Sequence, residues 1–497
     1  MHHPARTGAA RRRPVRSVAP GLRRAAWHHG PVGATAQRVV VVGAGPGGYE
    51  SALVAAQLGA DVTVVDRDGL GGAAVLTDCV PSKTLISTSD FMSRFGAAAG
   101  LGVRFPGSSA GEVAEADLPA VNARVKALAL AQSDDITVNV EKAGVRVLRG
   151  TGSLLGPQRV LAQLADGSSE ELPADVVLIS TGARPRELAT AAPDGERILT
   201  WQQVYDLPQL PSHLVVVGSG VTGAELAHAY LGLGCAVTLV SSRDRVLPGE
   251  DADAATVIED VFRRRGMNVL NRSRAEAVER TADGVLVRLA DGRTVEGSHC
   301  IMAVGSVPNT AGMGLEDSGV TLTPSGHVEV DGVSRTSARG VYAAGDCTGV
   351  LPLASVAAMQ GRIAMWHALG DAVQPLNLRA VSANIFTDPE IATVGWSQQA
   401  LADAGIAAEA VMLPLATNAR AKMQNVHDGF VKLFCRAGTG IIMGGVVVAP
   451  RASELIFPVA LAVQTKLTVD QVSGAFTVYP SMSGSIAEAA RRLHTRA

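Results

Sequence analysis

Apolar runs of strand length, each closed by glycines, divide this chain into recognisable units. Residues 39–42 are four consecutive valines, too short a run for a helix and suited to a parallel strand buried on both faces. A glycine turn follows, then a helical stretch over residues 49–58 and a second strand over 61–65 that ends on Asp66. The same order returns with a strand at 213–217, a helix at 224–233 and a strand at 236–240. Two βαβ units are therefore expected. A further strand at 176–179 leads into Ser180-Thr181-Gly182, and the run from Gly340 to Asp346 reads as the last strand of a sheet. Because that strand lies beyond the second unit, one nucleotide unit is expected to be inserted in the other. After residue 377 the fingerprints stop. Strand-like runs at 430–434 and 441–449, with helical stretches at 452–464 and 483–493, predict a compact α+β module suited to self-association.

Both turns carry the spacing Gly-x-Gly-x-x-Gly: Gly43, Gly45 and Gly48 in the first, Gly218, Gly220 and Gly223 in the second. The first glycine permits the tight turn, the second lets the backbone approach a pyrophosphate, and the third lets helix and strand pack closely. The pyrophosphate then rests on the helix N-terminus. Asp66 stands where a carboxylate accepts a hydrogen bond from an adenosine ribose hydroxyl. In the second unit that position is Ser241, followed by Ser242, Arg243 and Arg245. Loss of the carboxylate removes repulsion toward a 2′-phosphate, and guanidinium groups attract one, so the residues suit NADPH alongside NADH; the alternative is a plain solvated loop. Two dinucleotide sites in one chain point to electron transfer between two nucleotides.

Composition narrows the field. A formal net charge of −2, with both signs mixed along most of the chain, gives no electrostatic case for nucleic acid or a membrane surface as partner. The longest apolar runs fall short of the ~20 residues a membrane-spanning helix needs. Cys79, Cys235, Cys300, Cys347 and Cys435 form no disulfide framework and no metal-ligand spacing, which suits a reduced, cytoplasmic setting. His28, His29 and His228 also lack ligand spacing and are expected in the tail or at the surface, so no metal is expected. Residues 1–37 hold seven arginines with no lysine and no acid. They are expected to be a disordered leader, dispensable or arising from a start codon assigned too early, in preference to a targeting signal.

From Arg38 onward these motifs resemble, in order and number, the flavoprotein disulfide reductases. The resemblance implies an α/β fold: an FAD-binding domain in two parts (residues 38–185 and 311–376), a Rossmann-like NAD(P)H-binding domain inserted in it (186–310), and a C-terminal dimerisation domain (377–497). It implies that the first fingerprint and Asp66 hold the adenosine half of FAD, and that the segment from Leu70 to Lys83 lies beside the flavin ring. Ser180, Thr181 and Gly182 would pass near the cofactor, Asp346 would bind the ribityl chain, and Gly152 and Ala354 would add contacts. The second fingerprint and the strand ending at Gly305 would hold NAD(P)H. Lys83 would lie near flavin N5 and pair with Glu225, where a cation stabilises negative charge on the reduced ring. The alternatives are a surface ion pair for Lys83 and a helix N-terminal acid for Glu225.

Two departures decide the chemistry. Family members that reduce disulfides carry two cysteines separated by four residues before the Pro-Ser-Lys element; here Cys79 is kept and Ala74 fills the other position. They also carry a histidine before a C-terminal proline, with a glutamate a few residues on to orient it. This chain has Tyr479-Pro480, with Gly484 where an acid is wanted. Tyrosine, with an ordinary pKa near ~10, is a poor proton shuttle at neutral pH. Reduction of lipoamide or glutathione is therefore not expected. The family also contains NAD(P)H quinone reductases that lack one cysteine, and the runs at 71–76, 78–83 and 351–362 are similar to theirs. An FAD-dependent NAD(P)H:quinone oxidoreductase acting as a homodimer is the expectation, with Tyr479 either bonding a quinone carbonyl across the dimer interface or serving as an interface aromatic. Cys79 is either a low-pKa thiol or a small residue filling its site; the second is preferred because its redox partner is absent. A soluble pyridine nucleotide transhydrogenase and a flavin-based NAD(P)H redox sensor are the rival readings.

Overall fold

The valine run at the start of the first unit is buried at every position because the strand is covered on both faces. In the computed structural model, which describes residues 36–104 and 114–494, strand Arg38–Val42 lies inside a seven-stranded sheet. Val39 and Val41 face one core with Ala52 and Ala55 of helix Pro46–Gln57, while Val40 and Val42 face another with Leu154 and Val160. This is the period-two alternation of a pleated strand. Strands Val341–Ala343, Val176–Ile179, Arg38–Val42, Asp61–Asp66 and Arg146–Gly156 run parallel in that spatial order. Arg159–Leu164 and Ser169–Pro173 continue the edge antiparallel.

A second, five-stranded sheet is parallel throughout: Asn268–Leu270, Ala236–Val240, His213–Val217, His299–Met302 and Ile198–Thr200. All of it falls in sequence between Val176–Ile179 and Val341–Ala343, which are neighbours in the first sheet. The segment leaving the first sheet, Ala183–Pro185, pairs antiparallel with the segment returning to it, Ser306–Pro308. A third sheet, antiparallel, runs Ser382–Ile385, Glu390–Gly395, Ile442–Ala449, Phe430–Arg436 and Ala408–Pro414. Phe430, Phe434, Val446 and Val448 on one of its faces share a core with Leu214, Ile258 and Phe262 of the second unit. Val431, Leu433 and Val447 on the other pack beneath Ile486, Ala489 and Leu493 of helix Gly484–His494.

Local differences from the sequence expectation have simple causes. The helices after the two fingerprints start at Pro46 and Val221, inside the motifs, because Gly45 and Gly220 are their N-cap residues. The helix expected over 452–464 is two helices, Ala452–Leu455 and Phe457–Thr465. Pro458 accounts for the break, since proline has no N–H to donate and its ring crowds the carbonyl four residues earlier. His228 is not at the surface. Helix Val221–Gly232 is packed on nearly all sides, and the imidazole is buried on it, 3.1 Å from Asp90 Oδ1 and stacked on Phe262. The leader expected over residues 1–37 lies, apart from its last two residues, outside the described residues. Among the described residues no helix is long and apolar enough to cross a membrane.

Candidate active site

The two glycine turns divide their labour in the same way. In the first, a Cβ on Gly43 would collide with the Ser180 carbonyl, and one on Gly48 with the Gly43 carbonyl. In the second, a Cβ on Gly218 would meet the Ala303 carbonyl, and one on Gly223 the Gly218 carbonyl. The outer glycines are thus demanded by the protein's own packing. The middle ones are not: around Gly45 and Gly220 there is nothing within 4 Å of an added Cβ. Each sits at the N-cap of a helix with no side-chain cap. Open space at an uncapped helix N-terminus, where the dipole is positive, fits the pyrophosphate of a dinucleotide.

Beyond the turns, the two sites differ. Asp66 Oδ2 accepts from Ala44 N at 2.7 Å, and Oδ1 accepts from Asp68 N and Gly69 N at 2.9 and 2.7 Å. The carboxylate is fixed against the first turn and keeps lone pairs for a ribose hydroxyl. Ser241 is fully buried, and its hydroxyl accepts from Ser219 Oγ at 2.7 Å and from Arg243 N at 3.2 Å. The residue stands at the expected strand end, but its hydroxyl closes the loop and so is not an open ligand for ribose. Ser242 and Arg243 are exposed beside it, and the half-buried Arg245 has an Nε without a hydrogen-bond partner.

Lys83 and Glu225 meet. Lys83, on helix Cys79–Ala97, places Nζ 2.7 Å from Glu225 Oε2 on helix Val221–Gly232, and Glu225 Oε1 accepts from Phe386 N at 2.9 Å. Lys83 Nζ also lies 5.1 Å from the centre of the Phe386 ring. The Glu225 side chain is 4% exposed and that of Lys83 29%. This is a partly buried pair joining three parts of the chain, not a loose surface ion pair. Burial alone would lower the Lys83 pKa; Glu225, aided by Cys79 and Asp78, reverses this and holds it above the ordinary value.

Asp78 and Cys79, immediately before this helical turn, share its surroundings. Burial, and secondarily Asp78, push the Cys79 thiol up to about 11. Burial also raises the Asp78 carboxyl, with Glu225 and Asp346 adding to the rise and Lys83 opposing it. Asp346 follows strand Val341–Ala343 and is itself raised by burial against a smaller opposing effect of His327. Tyr205 closes the cluster from the second unit, with Asp78 and Glu225 acting on its buried phenol. Gly71 N donates to Ala44 O at 2.8 Å, and a Cβ on Gly72 would touch Gly45 Cα at 2.7 Å, so this segment lies directly on the first glycine turn.

The remaining candidates fall around these groups. Ser180 is buried against the first turn, and Thr181 Oγ1 donates to Asn309 O at 2.7 Å, while Gly182 takes φ +65°. Gly152 packs where a Cβ would press on Val42. Gly305, at φ +95°, receives Arg186 N through its carbonyl at 2.9 Å. Ala354 is exposed at the start of helix Ala354–Ala368. Cys347 is fully buried and donates to Ala344 O at 3.3 Å. All five cysteines are free thiols. Tyr479 is 87% exposed on the single chain, beside the exposed Phe476 and Val478. Asp78, Tyr205 and Phe386 were not singled out from the sequence. Only Asp78 had a local signal, a carboxylate adjoining the retained cysteine; the others arrive by long-range packing.

A sheet interrupted by a second dinucleotide-type unit, with a Lys–Glu pair at their junction, defines a two-nucleotide oxidoreductase. The family description "pyridine nucleotide-disulphide oxidoreductase" matches residues 37–361, and its dimerisation domain matches residues 381–490. The chain belongs to this family, whose members use FAD and a pyridine nucleotide. It is 57% identical over 465 residues to the NAD(P)H dehydrogenase (quinone) of Mycobacterium tuberculosis, covering 92% of this chain and 94% of that one. It is 31% identical to the dihydrolipoyl dehydrogenase of Zymomonas mobilis, over 92% and 98% of the two chains. The crystal structure of LpdA from Mycobacterium tuberculosis superposes with a TM-score of 0.87 at 56% identity, covering 92% of this chain and 99% of that chain.

Proposed function

We propose that this chain is an FAD-dependent NAD(P)H:quinone oxidoreductase, working in the cytoplasm as a homodimer built on the C-terminal module. The observation that carries the reading is Ala74. With alanine five residues before Cys79, no dithiol can form there, and a thiol pushed up to about 11 stays protonated at neutral pH. Electrons must therefore leave for an acceptor that needs no thiol relay. A quinone is such an acceptor, and the 57% identical relative bears the name of that activity.

FAD, when bound, supplies the two-electron chemistry between nicotinamide and acceptor. Gly43, Gly45, Gly48 and Asp66 would hold its adenosine half, with Gly152, Ser180, Thr181, Gly182, Asp346 and Ala354 along the remainder. Gly218, Gly220, Gly223, Ser241 and Gly305 would shape the NAD(P)H site, with Arg243 and Arg245 available to a 2′-phosphate. Glu225 holds Lys83 as a cation, and Lys83 stabilises negative charge developing beside it. Tyr479 would act at the partner's acceptor site, because on its own chain it stands in solvent. The boundaries 38–185, 186–310, 311–376 and 377–497 are proposed for the corresponding domains.

The test is steady-state NADPH and NADH oxidation by the holoenzyme with menadione, lipoamide or NAD⁺ as acceptor. Turnover with menadione exceeding the other two by at least tenfold supports the reading. Turnover mainly with NAD⁺ replaces it with transhydrogenation, and turnover with lipoamide refutes the argument from Ala74.

A further inference from the structure

Lysine is almost never fully buried in a protein unless it is paired, and the C-terminal module buries one. Lys432 stands on strand Phe430–Arg436 with its side chain 4% exposed, and its ammonium leaves the module to end on the second unit. Nζ lies 2.9 and 2.8 Å from the two carboxylate oxygens of Asp251 and 2.6 Å from Asp253 Oδ2. Gln398, on helix Gln398–Asp403 of its own module, adds an acceptor at 3.3 Å. The Asp251 side chain is 5% exposed. It caps helix Ala252–Arg264, with Oδ1 accepting from Asp253 N and Ala254 N at 3.1 and 3.3 Å. One buried carboxylate therefore starts the helix and grips the lysine. A buried pair of this kind adds little net stability over apolar packing; what its directed bonds do is hold two segments in one place.

The segment held is the end of the loop over residues 242–250, which carries Arg243 and Arg245. Its middle is laid on the second glycine turn, where Leu247 N donates to Ser219 O at 2.9 Å. Leu247 is 1% exposed and takes φ 51°, a conformation that a side chain of its size rarely adopts and that persists only where the surroundings impose it. Val246 N donates to Glu259 Oε2 at 3.2 Å, on the helix that Asp251 caps. The helix thus holds the loop, and Lys432 holds the helix at the end where the loop enters it. At the other end, Arg264 and Arg265 also reach the C-terminal module, through pairs with Asp428 and Asp388 that are more open to solvent and so worth less.

Resting on the assignment of the second unit to NAD(P)H, we propose that Lys432 is a positioning residue for the nucleotide. From the C-terminal module it fixes, through Asp251, the loop that presents Arg243 and Arg245, and so sets affinity for the 2′-phosphate.

The test compares wild type, Lys432→Met and Lys432→Met/Asp251→Asn holoenzymes in NADPH and NADH oxidation with ferricyanide, an acceptor that makes the result independent of the quinone reading. Inhibition by 2′,5′-ADP and by 5′-AMP is measured alongside. The double variant removes the buried charge that the single one strands, and asparagine still caps a helix, so it should fold even where the single variant does not. KM for NADPH and Ki for 2′,5′-ADP should rise about tenfold, the scale of coupling through residues that contact no ligand. KM for NADH should rise about threefold at most. Flavin content, kcat and Ki for 5′-AMP should stay within about twofold. Unchanged KM for NADPH, an equal rise for both nucleotides, or loss of flavin from both variants would each overturn the assignment, the last by making Lys432 a residue of folding alone. A wild type that binds 2′,5′-ADP no more tightly than 5′-AMP would overturn the reading of Arg243 and Arg245, and this proposal with it.

Discussion

The two glycine turns are alike where the protein touches itself and unlike where a nucleotide would end. In both, the outer glycines are required by a neighbouring carbonyl and the middle glycine faces open space. At the end of the following strand, the first unit places Asp66, bonded to Ala44 N at 2.7 Å, and the second places Ser241, bonded to Ser219 Oγ at 2.7 Å. Each strand end is tied to its glycine turn, once by a carboxylate accepting from a main-chain N–H and once by a hydroxyl accepting from a side-chain O–H. On the proposed function, one βαβ framework would serve two ligands by changing one residue and its charge: a carboxylate repels a 2′-phosphate, a buried serine does not.

The largest break in this comparison should come from filling the open spaces. Gly45→Val is compatible with the backbone, since φ is −62°, so the chain should fold. It should lose its yellow cofactor and all turnover, as read by absorbance of the purified protein. Gly220→Val should stay yellow, with KM for both NADH and NADPH raised at least tenfold.

The second effect falls on the bridge between the two units, Lys83 with Glu225. Lys83→Met should slow reduction by NADPH about a hundredfold in stopped-flow, the scale of losing one preorganised charge. It should also cost roughly 3 kcal/mol of stability by leaving a buried carboxylate unpaired. Adding Glu225→Gln should recover stability in denaturant melts without recovering the rate.

A sharper comparison comes from making the second site resemble the first. Ser241→Asp should lower kcat/KM for NADPH about tenfold to a hundredfold relative to NADH, because the new carboxylate adds negative charge at the strand end where the 2′-phosphate is proposed to lie. Equal loss for both nucleotides would show that the hydroxyl only closes the loop.

The smallest effect is expected at Cys79. Cys79→Ser should leave menadione turnover within about twofold, since nothing pairs with this thiol in the chemistry proposed. Its pKa is raised to about 11, so the unreactive thiol form prevails at neutral pH. Alkylation by iodoacetamide should accordingly be slow at pH 7 and quicken as pH rises toward 11.

Both βαβ units were legible because each is local: four apolar residues, a glycine spacing and a helix within thirty or so positions determine it. The strands His213–Val217 and Ala236–Val240 lie where their patterns place them. The insertion was legible from motif order, since Val341–Ala343 returns to the first sheet after the second unit has closed. Side-chain commitments were not. That Ser241 turns its hydroxyl inward depends on Ser219, and the burial of His228 depends on Asp90 and Phe262 from distant segments. Lys83 and Glu225 are 142 residues apart, and no periodicity joins them; only likeness to a family suggested that they meet. Phe386 N and Tyr205 complete the cluster through contacts that no local pattern encodes.

The central claim is that electrons cross this protein without a dithiol. It is tested most directly by anaerobic dithionite titration of the FAD-loaded enzyme, followed through the flavin absorbance and a parallel thiol count. Uptake of two electrons per bound flavin, with no change in thiol number, is the predicted result. Uptake of four, with two new thiols appearing, would contradict it.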